Sequence, residues 1–192
     1  MKKQLGFTLI EVMIVIIIVG ILASIAAPSL STLMKNNRLK AQMFDMLGSI
    51  NIARSEAVKR KAQTVLCRSA DPTADSPTCG GTSQTWTSGW IVYAKGDDVI
   101  DAYDSTTDTI IGIGNPAEAD VEVMSNSVVP SAADPSDGDN YIIYNTDGTL
   151  NGSAQLVYAI CDDRGEEFGK QISIALVGRA VLTSGPIADC TP

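Results

Sequence analysis

The chain contains no histidine, and this absence narrows its chemistry. A serine or cysteine nucleophile would have no imidazole base, so catalysis by a His-dependent triad is excluded. A zinc site is disfavoured as well, because the four cysteines include no C-x-x-C spacing and have no histidine to join them. The sequence also lacks a glycine-rich phosphate loop. We therefore expect no enzyme activity, no bound metal and no cofactor.

Positive charge is scarce in the C-terminal two thirds of the chain. Residues 68–192 contain five Lys or Arg against nineteen acids, whereas residues 35–61 contain seven Lys or Arg against two acids. A strongly acidic surface repels nucleic acid and anionic lipid. We therefore do not expect DNA as a partner. The acid pairs 97–98, 162–163 and 166–167 fall in predicted turns and are interpreted as solvated, although the aspartates of 97–108 leave a calcium site conceivable.

Residues 7–27 form a long apolar run with one charged residue, Glu11. As an α-helix this run would measure about 31 Å at ~1.5 Å per residue, which matches the ~30 Å hydrocarbon core of a bilayer. Lys2 and Lys3 precede the run. By the positive-inside bias, the N-terminus should stay cytoplasmic and the residues after Pro28 should lie outside.

Glu11 is unusual because a charged side chain inside a membrane span costs about 2.5 to 3.5 kcal/mol at mid-helix. If the chain were cut between Gly6 and Phe7, the new α-amine would lie one helical turn from Glu11. On a neighbouring subunit that amine could pair with the carboxylate. Two alternatives stay open: the carboxylate could reach the interface without a partner, or the run could be a secretory signal cleaved near residues 24–26. The run is longer than the ~7 to 15 apolar residues of such signals.

The N-terminal motif Lys2-Lys3-Gln4-Leu5-Gly6-Phe7-Thr8-Leu9-Ile10-Glu11 resembles the class III signal of type IV pilins and type II secretion pseudopilins. The resemblance implies cleavage after Gly6 by a membrane prepilin peptidase and N-methylation of Phe7 by the same enzyme. It also implies a subunit-pairing role for Glu11 and a helix-kinking role for Pro28. The chain would be the substrate of this processing.

The four cysteines, Cys67, Cys79, Cys161 and Cys190, all follow the apolar run and should lie in an oxidising compartment. Four cysteines allow three pairings. We favour Cys67 with Cys79 and Cys161 with Cys190, because each bridge then joins neighbours in sequence and leaves the two halves of the head independent.

The helix is expected to continue past Pro28, because a proline can kink a helix without ending it. Apolar residues then recur at spacings of four and three, which is typical of an amphipathic helix that packs on a head: Leu39, Met43, Met46, Ile50, Ala53 and Ala57. Most of the basic residues fall off this stripe: Lys35, Arg38, Lys40, Arg54 and Lys59. They either form a solvated face or face the acidic heads of neighbouring subunits.

Beyond residue 61 the pattern changes to short β-branched or aromatic runs bounded by turn residues. The predicted strands are 64–68, 89–94, 109–113, 121–124, 141–144, 155–161 and 171–182. Asp147 and Gly148 form a turn dipeptide that could link two paired strands. The sequence therefore predicts an α+β fold, with a long N-terminal helix and an antiparallel β-rich head.

The head resembles the GspH/FimT family of minor pilins and pseudopilins. The resemblance lies in 53–57, 65–67, Trp86 with 89–93, 163–165, 172–174 and 178–179, and both tryptophans are interpreted as packing residues. DNA-uptake members of this family carry a Gly-Arg-x-Arg motif, whereas this chain has Gly178-Arg179-Ala180-Val181. The second arginine is missing, so we interpret Arg179 as structural. This favours a FimU-like assembly role over a FimT-like DNA-binding role.

Together these features predict four segments with the type IV pilin fold. They are a leader peptide (1–6), a transmembrane helix (7–27), an amphipathic helix (28–61) and a globular head (62–192). The resemblance implies a minor pilin that primes or caps pilus assembly, with the prepilin peptidase, other minor pilins and the major pilin as partners. It would lie in the inner membrane with a periplasmic head, and later in the fibre. Two alternatives remain: a type II secretion pseudopilin, and a DNA-binding minor pilin for natural transformation.

Overall fold

The computed structural model describes residues 7–80, 86–97, 103–118, 120–125, 141–152, 154–184 and 190. Within these ranges the chain forms one long helix, α1 (Leu9–Arg60), and a short 3-10 helix, Trp86–Ser88. The strands are β1 (Thr64–Arg68), β2 (Trp90–Ala94), β3 (Thr109–Gly114), β4 (Val121–Ser125), β5 (Tyr141–Tyr144), β6 (Leu156–Asp162), β7 (Lys170–Ile174) and β8 (Ala180–Ser184). The chain divides into two compact units, Met1–Asn37 and Arg38–Pro192, and α1 contributes to both.

The first unit is the N-terminal part of α1, which begins at Leu9. Thr8 caps it, since its Oγ1 accepts a hydrogen bond from the Glu11 N–H at 3.3 Å. All side chains from 7 to 27 are exposed, and this part of the helix is long and apolar enough to cross a membrane. A helix that is apolar all round and buried nowhere needs lipid or neighbouring helices around it.

The second unit contains the C-terminal part of α1, which carries the predicted stripe. All six predicted stripe residues are buried in the main core, from Leu39 to Ala57. The predicted continuation of the helix past position 28 is confirmed, because α1 runs without a break to Arg60. The side chain of Pro28 itself lies outside the described part of the structure.

Two antiparallel sheets form the head. Their strand orders are β3-β2-β1-β5 and β4-β6-β7-β8. Alternate residues of each strand face opposite sides of its sheet, so Tyr158 and Ile160 of β6 enter the main core. Ala159 and Cys161 lie in a smaller cluster with Met124 of β4. The main core thus joins the α1 stripe to residues of both sheets.

Six of the seven predicted strands match observed strands to within one residue at either end. The seventh prediction, a single run over 171–182, is wrong, because this run is a hairpin formed by β7 and β8. The Ala175 N–H donates to the Arg179 carbonyl at 3.0 Å, which closes a loop of residues 176–178. Gly178 has φ +79°, and only glycine adopts this left-handed conformation readily.

The two tryptophans are packing residues, as predicted. Trp86 and Trp90 are both fully buried, and the rings of Trp86 and Tyr158 form a T-shaped pair with 5.4 Å between their centroids. A Cβ at Gly114 would overlap the Trp90 indole, so a glycine is needed where β3 passes this ring. The core is therefore built around aromatic residues from three separate segments.

Two disulfides join Cys67 to Cys79 and Cys161 to Cys190, which is the pairing that the sequence favoured. Cys67 lies on β1 of the first sheet and Cys161 lies on β6 of the second. The paired cysteines are 12 and 29 residues apart along the chain. Each sheet thus has its own bridge.

A buried ion pair holds the segment between β2 and β3. Lys95 Nζ lies 3.1 Å from Asp108 Oδ2, and the two side chains are 1% and 0% exposed. Asp108 also accepts the backbone N–H groups of Gly96 and Asp104 at 3.1 and 3.0 Å. Of the aspartates considered for a calcium site over 97–108, Asp108 is thus bound to a lysine and two amides, whereas residues 98–102 lie outside the described part of the structure. No cluster of three or more potential metal ligands occurs within the described ranges.

Candidate assembly site

The N-terminal residues that the sequence marks for processing and assembly are only partly described. Gly6 lies outside the described residues, whereas Phe7 and Glu11 are both exposed at the start of α1. Thr8 and Glu11 have the spacing of a capping box, in which Ser or Thr at the cap is followed three residues later by Glu or Gln. In such a box the Glu11 carboxylate would accept the Thr8 N–H, a local role whose sequence signal is Thr8-x-x-Glu11.

Some basic residues of the second unit contact its own acids. Arg38 Nε lies 2.8 Å from Glu118 Oε2, and Arg38 Nη1 lies 3.4 Å from Asp120 Oδ2. Hydrogen bonds from Arg60 foremost, and from Lys59, hold the pKa of Glu56 below its usual value. Arg38 and Lys59 thus have acidic partners within their own chain, whereas their facing the heads of neighbouring subunits stays a prediction.

Arg54 does not belong to the predicted solvated face, because its guanidinium binds two backbone carbonyls. Its Nε donates to the Gly148 carbonyl at 3.0 Å and its Nη2 donates to the Val177 carbonyl at 2.8 Å. It thereby ties α1 to the turn after β5 and to the β7–β8 loop. No sequence pattern predicts these contacts, because the partners are backbone carbonyls 94 and 123 residues away.

Tyr144 supports the same region from β5. Its buried hydroxyl donates to the Gly178 carbonyl at 3.2 Å. Gly148 and Gly178, which have φ +82° and +79°, bring the two loops into close contact. A Cβ at Gly178 would overlap the Gly148 carbonyl oxygen. We call Arg54, Tyr144, Gly148 and Gly178 the loop clamp.

Tyr144→Phe is expected to lower the stability of a soluble fragment, residues 35–192, by about 1 kcal/mol at pH 7, because one buried hydrogen bond is lost. Burial raises the pKa of the Tyr144 phenol far above its ordinary value of 10. Above pH 10 the unfolded chain therefore loses this proton while the folded chain keeps it, so stability falls as pH rises. Urea unfolding at pH 7 and pH 10.5 should show a smaller alkaline loss in the variant. An equal loss in both proteins would contradict this role.

Arg179 lies just after the β7–β8 loop with an exposed side chain. Its backbone carbonyl closes the hairpin, but its guanidinium extends from an acidic head. One exposed arginine provides only a small part of a phosphate-binding surface. Arg179 belongs to the second compact unit, whereas Phe7 and Glu11 belong to the first.

An acidic cleft of about 400 Å³ adjoins the Cys161–Cys190 bridge. It is lined by the carboxylates of Glu118, Asp120, Glu122, Asp162 and Asp163. Asp162 is held by Arg164, whose Nη2 lies 2.6 Å from Oδ2, and Arg38 pairs with Glu118 and Asp120. Because three of these carboxylates already have cationic partners, the cleft does not resemble an acid–base catalytic site.

Comparison with known proteins gives two family matches. The family model of type II transport protein GspH matches residues 45–178. The model of the prokaryotic N-terminal methylation motif matches residues 1–27. The two matches share no residues and leave only a short segment of the helix between them. The second match supports an apolar, membrane-anchoring N-terminal helix.

Individual relatives agree with these matches. Fimbrial protein EcpB of Eikenella corrodens is 44% identical over 78 residues, which are 39% of this chain and 42% of that protein. Type II secretion system core protein G of Vibrio cholerae serotype O1 is 63% identical over 30 residues, which are 16% of this chain and 20% of that protein. The chain thus spans less than half the length of these two curated relatives.

The fold has a counterpart among crystal structures. The type IV minor pilin FimU of Pseudomonas aeruginosa matches with a TM-score of 0.59 and 16% identity, over 83% of this chain and 98% of that one. The predicted α+β type IV pilin fold is thereby confirmed. Members of the matched family are structural subunits that assemble with other pilins or pseudopilins. Because the GspH model covers more than half of the sequence, this chain belongs to the GspH family and is a minor pilin or pseudopilin.

Proposed function

We propose that this chain is a minor pilin that primes or caps a type IV pilus and performs no catalysis. The observation that carries the proposal is the exposed apolar length of α1 up to residue 27, in which Glu11 is the one charged residue. Such a surface is stable in a lipid bilayer first and among neighbouring subunit helices later. The longer of the two curated matches, to a fimbrial protein, favours a pilus over a secretion machine.

Processing would prepare the chain for this exchange. A prepilin peptidase would cut between Gly6 and Phe7 and methylate the new amine of Phe7. Lys2 and Lys3 support a cytoplasmic N-terminus, with one membrane crossing and a periplasmic head. The two disulfides fit an oxidising compartment on that side of the membrane. After extraction from the inner membrane, the subunit would lie in the fibre beside other minor pilins and the major pilin.

The test is deletion of the gene, followed by counting surface filaments in electron micrographs. DNA uptake and protein secretion are scored in the same strain, and a plasmid copy of the gene serves as the control. Loss of filaments that the plasmid copy restores is the expected result. Normal filaments with failed secretion would replace the proposal with a type II secretion pseudopilin, which the GspH match also supports. Normal filaments with failed DNA uptake would replace it with a DNA receptor.

Glu11→Ala is expected to insert into the membrane normally but to fail to enter filaments, because the methylated amine of a neighbour loses its carboxylate partner. Immunoblots of membrane and sheared filament fractions measure how much of the variant reaches each fraction.

Pro28→Ala in the same assay would test the predicted role of the proline as a kink.

Glu11→Gln is the matched variant, since Gln preserves the capping box with Thr8 but removes the charge. Under the pairing hypothesis, both variants are absent from filaments. If Glu11→Gln is incorporated like the wild type while Glu11→Ala is not, the carboxylate acts only as a local cap and the pairing role is wrong.

A further inference from the structure

The four edge strands of the two sheets differ in how their outward backbone N–H and C=O groups are covered. Asn151 N–H donates to the Ile143 carbonyl at 2.8 Å and so covers the edge of β5. Val123 N–H of β4 donates to Thr87 Oγ1 at 3.1 Å, so the 3-10 segment covers that edge. The edge strand β3 carries two glycines and an irregular register against β2 at Val92 and Tyr93. Covered edges and bulges both discourage pairing with another chain.

Within the described residues, which leave out 126–140 and 185–189, strand β8 has none of these protections. Its five residues include no charge and no proline, and all five pair with β7 in regular register. The closing bond from Ala175 to Arg179 fixes the alternation of the ladder, so the backbone N–H and C=O groups of Ala180 and Leu182 point away from β7. Among the residues that the structure describes, no backbone hydrogen bond reaches these outward groups. In this described part of the head, the outward groups of Ala180 and Leu182 are therefore available to pair with another strand.

The loop next to this edge is held rigidly although its side chains are in solvent. All three of its carbonyls accept hydrogen bonds: Leu176 from Leu150 N–H at 2.9 Å, Val177 from Arg54 at 2.8 Å and Gly178 from the Tyr144 hydroxyl at 3.2 Å. The side chains of Leu176 and Val177 are nevertheless 45% and 62% exposed, and Val181 of β8 is 47% exposed. A fixed, exposed apolar loop binds a partner with little loss of conformational entropy.

We propose that the outer edge of β8, with Val177, Arg179 and Val181, is a docking surface for an extended strand of another pilin subunit in the filament. The strand would extend the β4-β6-β7-β8 sheet by hydrogen bonding to Ala180 and Leu182. An apolar residue of this strand would contact Val177 or Val181, and a carboxylate would pair with Arg179. The inference rests on the proposed pilus function.

Charge favours this occupant over the other candidates. Residues 68–192 carry nineteen acids against five basic residues, so two copies of this head would repel each other, and so would a head and DNA. A strand that carries a single carboxylate could pair with the positive charge of Arg179 and stay away from the other acids of the head. The neutral β8 itself imposes no charge repulsion on such a strand.

Photo-crosslinking in cells with the full chain tests the docking surface. A benzophenone amino acid replaces Val181, with exposed Thr73 as the control position, and adducts are identified by mass spectrometry. We expect an adduct from position 181 to a β-strand of a different pilin, and none to that segment from position 73.

The adduct should be lost in Ala180→Pro, because proline is tolerated at an edge strand whose N–H faces solvent but removes the outward donor. Arg179→Glu should also weaken the adduct, whereas Lys170→Glu, at the far end of the same hairpin, should not.

Circular dichroism of the purified full-length chain in detergent shows whether Ala180→Pro folds. If it does not, the comparison of Arg179→Glu with Lys170→Glu decides the question alone.

Three outcomes overturn the proposal: an adduct to a second copy of this chain, an adduct that survives both Ala180→Pro and Arg179→Glu, or no adduct at position 181. A gel shift of duplex DNA that is lost in Arg179→Glu but kept in Ala180→Pro overturns it in favour of nucleic acid. If deletion abolishes filaments but position 181 gives no adduct, only the docking surface is wrong. If deletion leaves filaments intact, the pilus function itself fails.

Discussion

Gly178→Ala is expected to destabilise the 35–192 fragment by about 3 to 5 kcal/mol. We expect this loss to exceed that of an alanine at Gly148, the other glycine of the loop clamp. Two costs add. The new Cβ would overlap the Gly148 carbonyl oxygen and approach Arg54 Nε to 3.0 Å, and alanine would have to adopt φ +79°. Urea unfolding measures the loss.

Gly165→Ala is the matched control. Gly165 has φ +81°, but a Cβ there would meet nothing within 4 Å, so only the backbone cost of about 1 to 2 kcal/mol applies. The difference between the two variants isolates the steric contact of the loop clamp. Equal losses in both would mean that the β7–β8 loop moves away from Gly148 at little cost, and that the clamp is not rigid.

Lys95→Met is expected to destabilise the same fragment by about 3 to 5 kcal/mol, because it leaves the buried Asp108 carboxylate without its cation. Asp108 cannot turn to solvent easily, since its oxygens also accept the Gly96 and Asp104 N–H groups. Adding Asp108→Asn to Lys95→Met should recover part of the loss, because the amide oxygen still accepts a backbone hydrogen bond and carries no charge. The midpoint of urea unfolding reports both changes.

Lys59→Met provides the comparison for an exposed ion pair. Lys59 lies 3.0 Å from Glu56, but its side chain is 73% exposed, and such pairs contribute about 0.2 to 1 kcal/mol. If Lys95→Met were as mild as Lys59→Met, water would have to reach Asp108, and the pair would not anchor the segment between β2 and β3.

Local patterns of the sequence were sufficient for much of the fold. The spacing of Leu39, Met43 and Met46 identified the buried face of α1, because helical periodicity depends only on neighbours along the chain. The strand from 171 to 182 was mispredicted because apolar residues continue through the loop at Leu176 and Val177. The signal that was overlooked is Gly178, since a glycine inside a β-pattern often marks a turn or bulge.

The loop clamp and the Lys95–Asp108 pair could not be predicted in the same way. Arg54 binds carbonyl oxygens, which every residue carries, so no residue type marks its partners. Asp108 was one of several aspartates in a polar segment, and only the fold shows that it is buried beside a lysine. The division into two sheets likewise depends on strand pairings between distant segments, such as β1 with β5.

The order of the disulfides has a consequence for biogenesis. Each cysteine is bonded to the next one along the chain, Cys67 to Cys79 and Cys161 to Cys190. If the N-terminus stays cytoplasmic and the head is exported in chain order, the two members of each disulfide reach the oxidising machinery consecutively. Vectorial oxidation, in which thiols are joined in the order of their emergence, yields the native bonds directly, so we expect maturation of this subunit to proceed without a disulfide isomerase.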